Sequence, residues 1–256
     1  MSASYKDKLK PSLSETFKGI IWKVETDDKK SIVAIESRDL ANRITHFSAF
    51  DYENGTCFFK EITVEDGWFW SLDRVHSGII FLHGYVNESN PEHKGIIAIN
   101  DEGEIAWQQF HNTLAEVTDK GLVVYNPKIQ PKMASLISPL NGEVLSARVM
   151  EFTPVERQID LPDSLDSPEI LQHLLPENLI GTVYHSSVND KHIVVFHTKS
   201  GDLHNQQLIV VQQENILLED YLATDIQKLN PEAFFIERGH LFYIRNDKRE
   251  FVSYLV

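Results

Sequence analysis

The feature that most constrains this chain is a short apolar run that stops at a polar residue and then recurs. It occurs five times: Ser31-IVAI-Glu36, Gly78-IIFL-His83, Gly121-LVVY-Asn126, His192-IVVF-His197 and Ala233-FFI-Glu237. Three or four apolar residues in a row, bounded by turn residues, are of strand length and read as antiparallel strands joined by hairpins. A hairpin recurs beside the run. Ala49–Phe59, Ile97–Trp107 and Leu136–Ser146 superimpose on Gly55, Gly103 and Gly142, where glycine supplies the positive φ of a tight turn. Val210–Leu218 fits with Asn215 in the glycine place, and Phe242–Ser253 puts Arg249 there.

A unit of about 40 residues carrying several short strands is the pattern of a propeller blade. The expected fold is therefore all-β: a β-propeller of about five four-stranded blades with one partly helical insertion. Residues 1–17 are polar and read as a flexible N-terminal arm, and residues 18–256 as a single domain. In the first unit the strands fall at Gly19–Glu25, Ser31–Glu36, Thr45–Asp51 and Thr56–Ile62. The second unit runs from Trp68 to Gln109, with Gly84–Lys94 reading as a loop, and the third from His111 to Met150. The rhythm then breaks at 151–180, which carries Pro154, Pro162, Pro168 and Pro176. There Pro168–Leu175, after Asp166-Ser167 and before Pro176, has the cap and stop of a short helix. The fourth unit covers Thr182–Asp220. The fifth covers Tyr221–Val256 and supplies all four of its own strands in this reading.

Charge narrows the partners. With 38 acidic and 24 basic residues the net charge is -14, so nucleic acid and anionic membrane surfaces would be repelled. The lone cysteine, Cys57, allows no internal disulfide and reads as a buried packing residue. The N-terminal stretch lacks an apolar core of signal-peptide length, and no run reaches membrane-helix length, so a cytoplasmic protein is expected. No phosphate loop, G-x-S-x-G, dinucleotide fingerprint or H-E-x-x-H occurs, so neither cofactor nor metal is expected. Four histidines cluster in the fourth unit, but His192 and His197 are five apart on one strand and face opposite ways.

Strands alternate in direction, so second-to-third-strand loops and inter-blade loops lie at one face. The residues closing the second strands, Glu36, His83, Asn126, His197 and Glu237, form the candidate ligand-binding face, with the insertion 151–180 as a lid. Polar residues also simply end strands, which is the plainer account of these five. The function expected is a non-enzymatic binding module for an unknown protein or small-molecule ligand. The alternative is a hydrolase or lyase for a sugar-type substrate, in which Glu36, His83, His197 and Glu237 supply a base and an acid.

The hairpin Gly95–Trp107 (GIIAINDEGEIAW) resembles the quinoprotein-type, PQQ-like propeller repeat, in which a strand, a D-x-x-T-G-type turn and a strand ending in Trp follow one another. Met133–Val144 and Ser48–Phe59 are similar to it over their hairpins. The resemblance implies a blade, used as a scaffold much as in WD40-like proteins. The quinone-dependent dehydrogenases of that group are larger, exported, and carry a calcium site and often a vicinal disulfide. A chain with one cysteine and fewer blades is not expected to share their chemistry. As a whole the chain is also similar to small uncharacterised bacterial propeller-like proteins of unknown function.

Overall fold

The computed structural model describes residues 9–87, 90–165, 175–213, 215–231 and 233–256. The strands follow one another as β1 (Leu13–Thr16), then β2 (Ile20–Thr26), β3 (Ile32–Asp39), β4 (Ile44–Asp51) and β5 (Cys57–Ile62). Next come β6 (Trp70–His76), β7 (Ile79–Asn87), β8 (Asn90–Ile99) and β9 (Ile105–Gln109), then β10 (Thr113–Thr118), β11 (Gly121–Tyr125), β12 (Ala134–Ile137) and β13 (Val144–Val149). Two short strands, β14 (Ile159–Asp160) and β15 (Asp163–Leu165), precede β16 (Leu179–Val188), β17 (Lys191–Ser200), β18 (Leu203–Gln212) and β19 (Asn215–Ile226). The chain ends with β20 (Phe235–Glu237), β21 (His240–Arg245) and β22 (Glu250–Leu255). The fold is all-β, with five antiparallel sheets, the number the repeat predicts.

The chain divides into two compact units. Phe17–Arg157 forms a three-sheet unit, each sheet made of four consecutive strands: β2–β5, β6–β9 and β10–β13. The second-strand runs are apolar throughout because their two faces feed two different cores. On β7, Ile80 and Leu82 pack with Ala34, Phe47 and Leu72 toward the first sheet, while Ile79 and Phe81 pack with Leu122, Val124 and Ile137 toward the third. Each such side chain contributes about 1.5–3 kcal/mol when fully buried. The hairpin glycines do the complementary work. Gly103, in the β8–β9 turn, sits on Phe59 of β5, and Gly142, in the β12–β13 turn, sits on Trp107 of β9. A methyl group at Gly142 would meet the Trp107 ring at 2.9 Å, at a φ of +70°. The indole of Trp107 also donates to the Pro139 carbonyl at 2.8 Å. The repeated pairing of a turn glycine with an aromatic on the outer strand of the preceding sheet is thus the joint between successive sheets of this unit.

The residues up to Thr16 and Gln158–Val256 form a two-sheet unit, and both of its sheets have five strands. One runs β15-β16-β17-β18-β19, the other β14-β20-β21-β22-β1. Several expectations are corrected here. Leu13–Thr16 of the supposed arm is an edge strand, with Leu13 opposite Ser253 and Thr16 opposite Glu250. The last sheet therefore does not supply all its own strands. Residues Tyr221–Ile226 belong to β19 of the fourth sheet. The insertion, read as partly helical, also carries strands: it donates β14 to one sheet and β15 to the other, and its Leu165 and Leu175 pack on the Val194, Phe196 and Ile209 face. Of its predicted helix, Pro168–Leu175, only Leu175 is among the described residues.

Two local readings also change. Gly84–Lys94 is mostly strand, since β7 and β8 continue to the Asn87–Asn90 pair. Cys57 is exposed: β5 bulges between the Ala49–Phe59 and Phe50–Cys57 pairs, which turns Phe59 inward and Cys57 out. Among the described residues no helix is long and apolar enough to cross a membrane.

Candidate functional site

The register places the five predicted residues differently from one another. In the three-sheet unit Arg38, His83 and Tyr125 share a position, opposite Ile20, Ser71 and Thr113. Glu36 lies two residues before it and Asn126 one beyond, so Glu36 shares the face of His83 and Asn126 does not. Neither Glu36 nor His83 ends its strand. Glu36 is fully buried and its carboxylate accepts from Arg38 Nε at 2.6 Å, Ser71 Oγ at 2.7 Å and Leu72 N at 2.8 Å. It ties β3 to β6, with its acceptors spent on the scaffold. Asn126 caps its own turn, its Oδ1 accepting from Lys128 N at 2.9 Å.

In the two-sheet unit Ala233-FFI-Glu237 is not a second strand. It is β20, joined to β21 by the turn after Glu237. The fifth second strand is β21, and Glu237 lies at the opposite end of its sheet from the β21–β22 turn. His197 is buried in β17, and its Nε2 accepts from Asn230 N at 3.2 Å. Burial, then the nearby charge of His204, holds its pKa below the ordinary histidine value. The His185 and His192 rings meet at 3.0 Å, so His192 and His197 serve different neighbours, as the sequence predicted.

What the sequence missed is the company of His83. Asp73, His83 and His93 come together on β6, β7 and β8, with one potential ligand atom from each lying within 4.8 Å of the others. His83 Nδ1 stands 3.2 Å from Asp73 Oδ2. The His83 and His93 rings stack at 3.6 Å with 9° between their planes, and Tyr85 stands edge-on to both. Two bulges make the cluster. Asp73 is the extra residue between Leu72 and Arg74, and Gly95, at a φ of +75°, is the extra residue between the His83–Ile96 and Gly84–Lys94 pairs. Without the second bulge His93 would fall on the other face of β8. A glycine inside a strand pattern is the sequence signal that marks such a bulge.

Charge surrounds the cluster. Burial pushes the Asp73 carboxyl up, but the adjacent His83 imidazole, with Arg74 and Lys23, outweighs it and holds the pKa below the ordinary value. Burial, then the charge of His83, lowers His93. Nearby, buried Glu25 pairs with Lys23 at 3.3 Å, Arg157 at 2.5 Å and Arg74 at 3.8 Å. Of the Asp27-Asp28 pair, Asp27 accepts from Gly78 N at 2.6 Å and Asp28 pairs with His76 at 2.7 Å, both ties from the β2–β3 turn to the end of β6 and its turn.

The two-sheet unit holds a cavity of about 590 Å³. Leu222, Ile226, Phe234, Phe235, Phe242 and Tyr243 give it apolar walls, and Lys228, Lys248, Asp247 and Asn230 bring the polar groups. His197 does not line it. Together with Gln206, which donates to Asn230 O at 3.2 Å and accepts from Asn230 Nδ2 at 3.1 Å, His197 fixes the loop that does. The Tyr243 hydroxyl donates to Asp220 at 2.6 Å. Burial and then that bond hold it protonated, well above the ordinary tyrosine range.

Residues 26–107 match the family model described as "Domain of unknown function (DUF4905)", a stretch that includes Asp73, His83 and His93. No curated protein matches the chain. Among solved structures, the β-propeller domain of the Trilobed protease from Pyrococcus furiosus is similar over 92% of this chain and 66% of that one, at 12% identity and a TM-score of 0.31. A subtype N11 neuraminidase-like protein of A/flat-faced bat/Peru/033/2010 (H18N11) is similar over 93% of this chain and 61% of that one, at 9% identity and a TM-score of 0.26. The chain spans less than two thirds of either.

Proposed function

We propose that this protein is a binding module that holds a small amphipathic anion in the apolar cavity of its two-sheet unit. The observation that carries this reading is which segments line the cavity. Lys228, Asn230, Ala233 and Phe234 come from the connection between two sheets, and Asp247 and Lys248 from a second-to-third-strand turn. These are the two loop classes in which the sequence places a binding face, and loops on a rigid scaffold commonly carry binding. Leu161, from the insertion, joins them. A volume of about 590 Å³ suits a small ligand. Aromatic and aliphatic walls suit an apolar body, and two lysines against one aspartate favour a carboxylate or phosphate head.

Catalysis has less support there. Among the lining residues there is no histidine and a single carboxylate, and the Tyr243 hydroxyl is committed to Asp220, so no acid–base pair converges on the space. The net charge of -14 supports a small-molecule or protein partner rather than nucleic acid or a membrane surface. We also hold to a cytoplasmic setting, and to quinoprotein-type blades working without a quinone. The test is calorimetric titration with decanoate and with an aromatic carboxylate. One-to-one binding, weakened by Lys228→Ala and abolished when Ala223→Trp fills the cavity, is the expected result. Saturable binding that survives Ala223→Trp, or none to either probe, would overturn the reading.

A further inference from the structure

The geometry points to a second site, in the three-sheet unit: Asp73, His83 and His93 bind one divalent transition-metal ion. Two imidazoles and a carboxylate are a donor set for Zn²⁺, Co²⁺ or Ni²⁺, and three protein ligands leave a coordination position open. The three donors come from adjacent strands and lie within 4.8 Å of one another. Neither nitrogen of His83 has a well-formed hydrogen bond, although its side chain is only 5% exposed. Its Nδ1 lies 3.2 Å from Asp73 Oδ2 without meeting hydrogen-bond geometry. A buried imidazole with no satisfied nitrogen costs stability unless something else completes it, and an ion between His83 and Asp73 would do so. The two bulges that bring Asp73 and His93 to His83 are the kind of irregularity that gathers at functional sites.

The ring geometry adds a requirement. An ion lies close to the plane of each imidazole that ligates it, and parallel rings 3.6 Å apart share no such plane. One ring must therefore turn. His83 is locked by burial, whereas His93 is half-buried and its terminal torsion is broad. Binding therefore turns His93 and ends the stack. Lys23 and Arg74 oppose a cation here, and Glu25, paired with both, offsets their charge.

The test titrates the whole chain with Zn²⁺ by calorimetry and with Co²⁺ by visible absorption. One ion per chain is expected, with cobalt ligand-field bands that saturate at the same ratio. His93→Gln should weaken binding by more than the roughly 10- to 100-fold that an outer-shell partner carries, and Asp73→Asn should weaken it too. His93 is partly exposed, so His93→Gln should leave the tryptophan-monitored melt in place; all four tryptophans lie in this unit. The competing donor pair is His185 and His192, so His192→Gln is the control and should bind like the parent. Binding unchanged in His93→Gln, binding lost in His192→Gln, or no saturable binding at all would each overturn the inference.

Discussion

The two units solve the same problem with different chain economy. The three-sheet unit takes each sheet from one contiguous stretch, and every strand pairs with its neighbour in sequence. The two-sheet unit extends both sheets with strands of the insertion and completes the last with Leu13–Thr16, from the far end of the chain. Both keep sheltered charge in pairs, around Glu25 and Glu36 in the three-sheet unit and around Arg245, with Asp220 and Glu250, in the two-sheet unit, which adds an apolar cavity. Local pairing closes small loops and forms readily, whereas the β1–β22 pair must close nearly the whole chain. The non-local unit should therefore depend on its terminal strand, whereas the local one stands on contacts within its own stretch, the Glu36 ion pair among them.

That contrast can be broken by experiment, because tryptophan fluorescence reports only on the three-sheet unit. The largest effect is expected from Glu36→Ala. It strands the Arg38 guanidinium and the Leu72 N–H, and should cost about 3–5 kcal/mol in the tryptophan-monitored urea transition. Leu13→Ala removes the buried side chain of the terminal strand and should cost about 2–5 kcal/mol, read by circular dichroism while the tryptophan transition stays put. If both probes move together in both variants, the two units are one cooperative body and the contrast fails.

A glycine pair sharpens it further. Gly142→Ala adds a clash with Trp107 to the left-handed strain, about 1–3 kcal/mol on top of about 1–2. Gly201→Ala, in the β17–β18 turn with nothing within 4 Å, should show the strain alone. Equal losses in the two melts would mean that the glycine–aromatic joint does not hold sheets together.

The smallest effect concerns pH. His197 has a lowered pKa in the folded chain, so the unfolded chain binds the proton more readily. Stability is then complete above the ordinary histidine pKa and falls as pH drops through and below it. Urea midpoints at about pH 5 and about pH 7.5 bracket that ordinary value. His197→Gln keeps an acceptor for Asn230 N and should flatten the slope between them. An unchanged slope would remove His197 as its source.

Much of the fold is legible in the residues because it is locally encoded. A run such as Ile79–Leu82 must be buried on both faces, and Gly103 or Gly142 must turn there. The expected binding face is less legible. Ala233-FFI-Glu237 reads like the other four runs, yet the run Leu241–Ile244 is the second strand of its sheet. Apolar runs of equal length carry no mark of their order in a sheet. Glu36 and His83 look alike as strand-closing polar residues, and only register separates a spent scaffold carboxylate from a histidine beside Asp73 and His93.

By itself, then, the sequence determined the strands, their turns, the five-sheet repeat and the acidic balance, because hydrophobic period and turn chemistry act over a few residues. The tertiary structure alone decided that residues 13–16 complete the last sheet, that the insertion adds strands and a cavity wall, and that Asp73 and His93 meet His83. Those outcomes depend on bulges and on pairings between distant segments, where a one-residue shift in register moves a side chain to the other face.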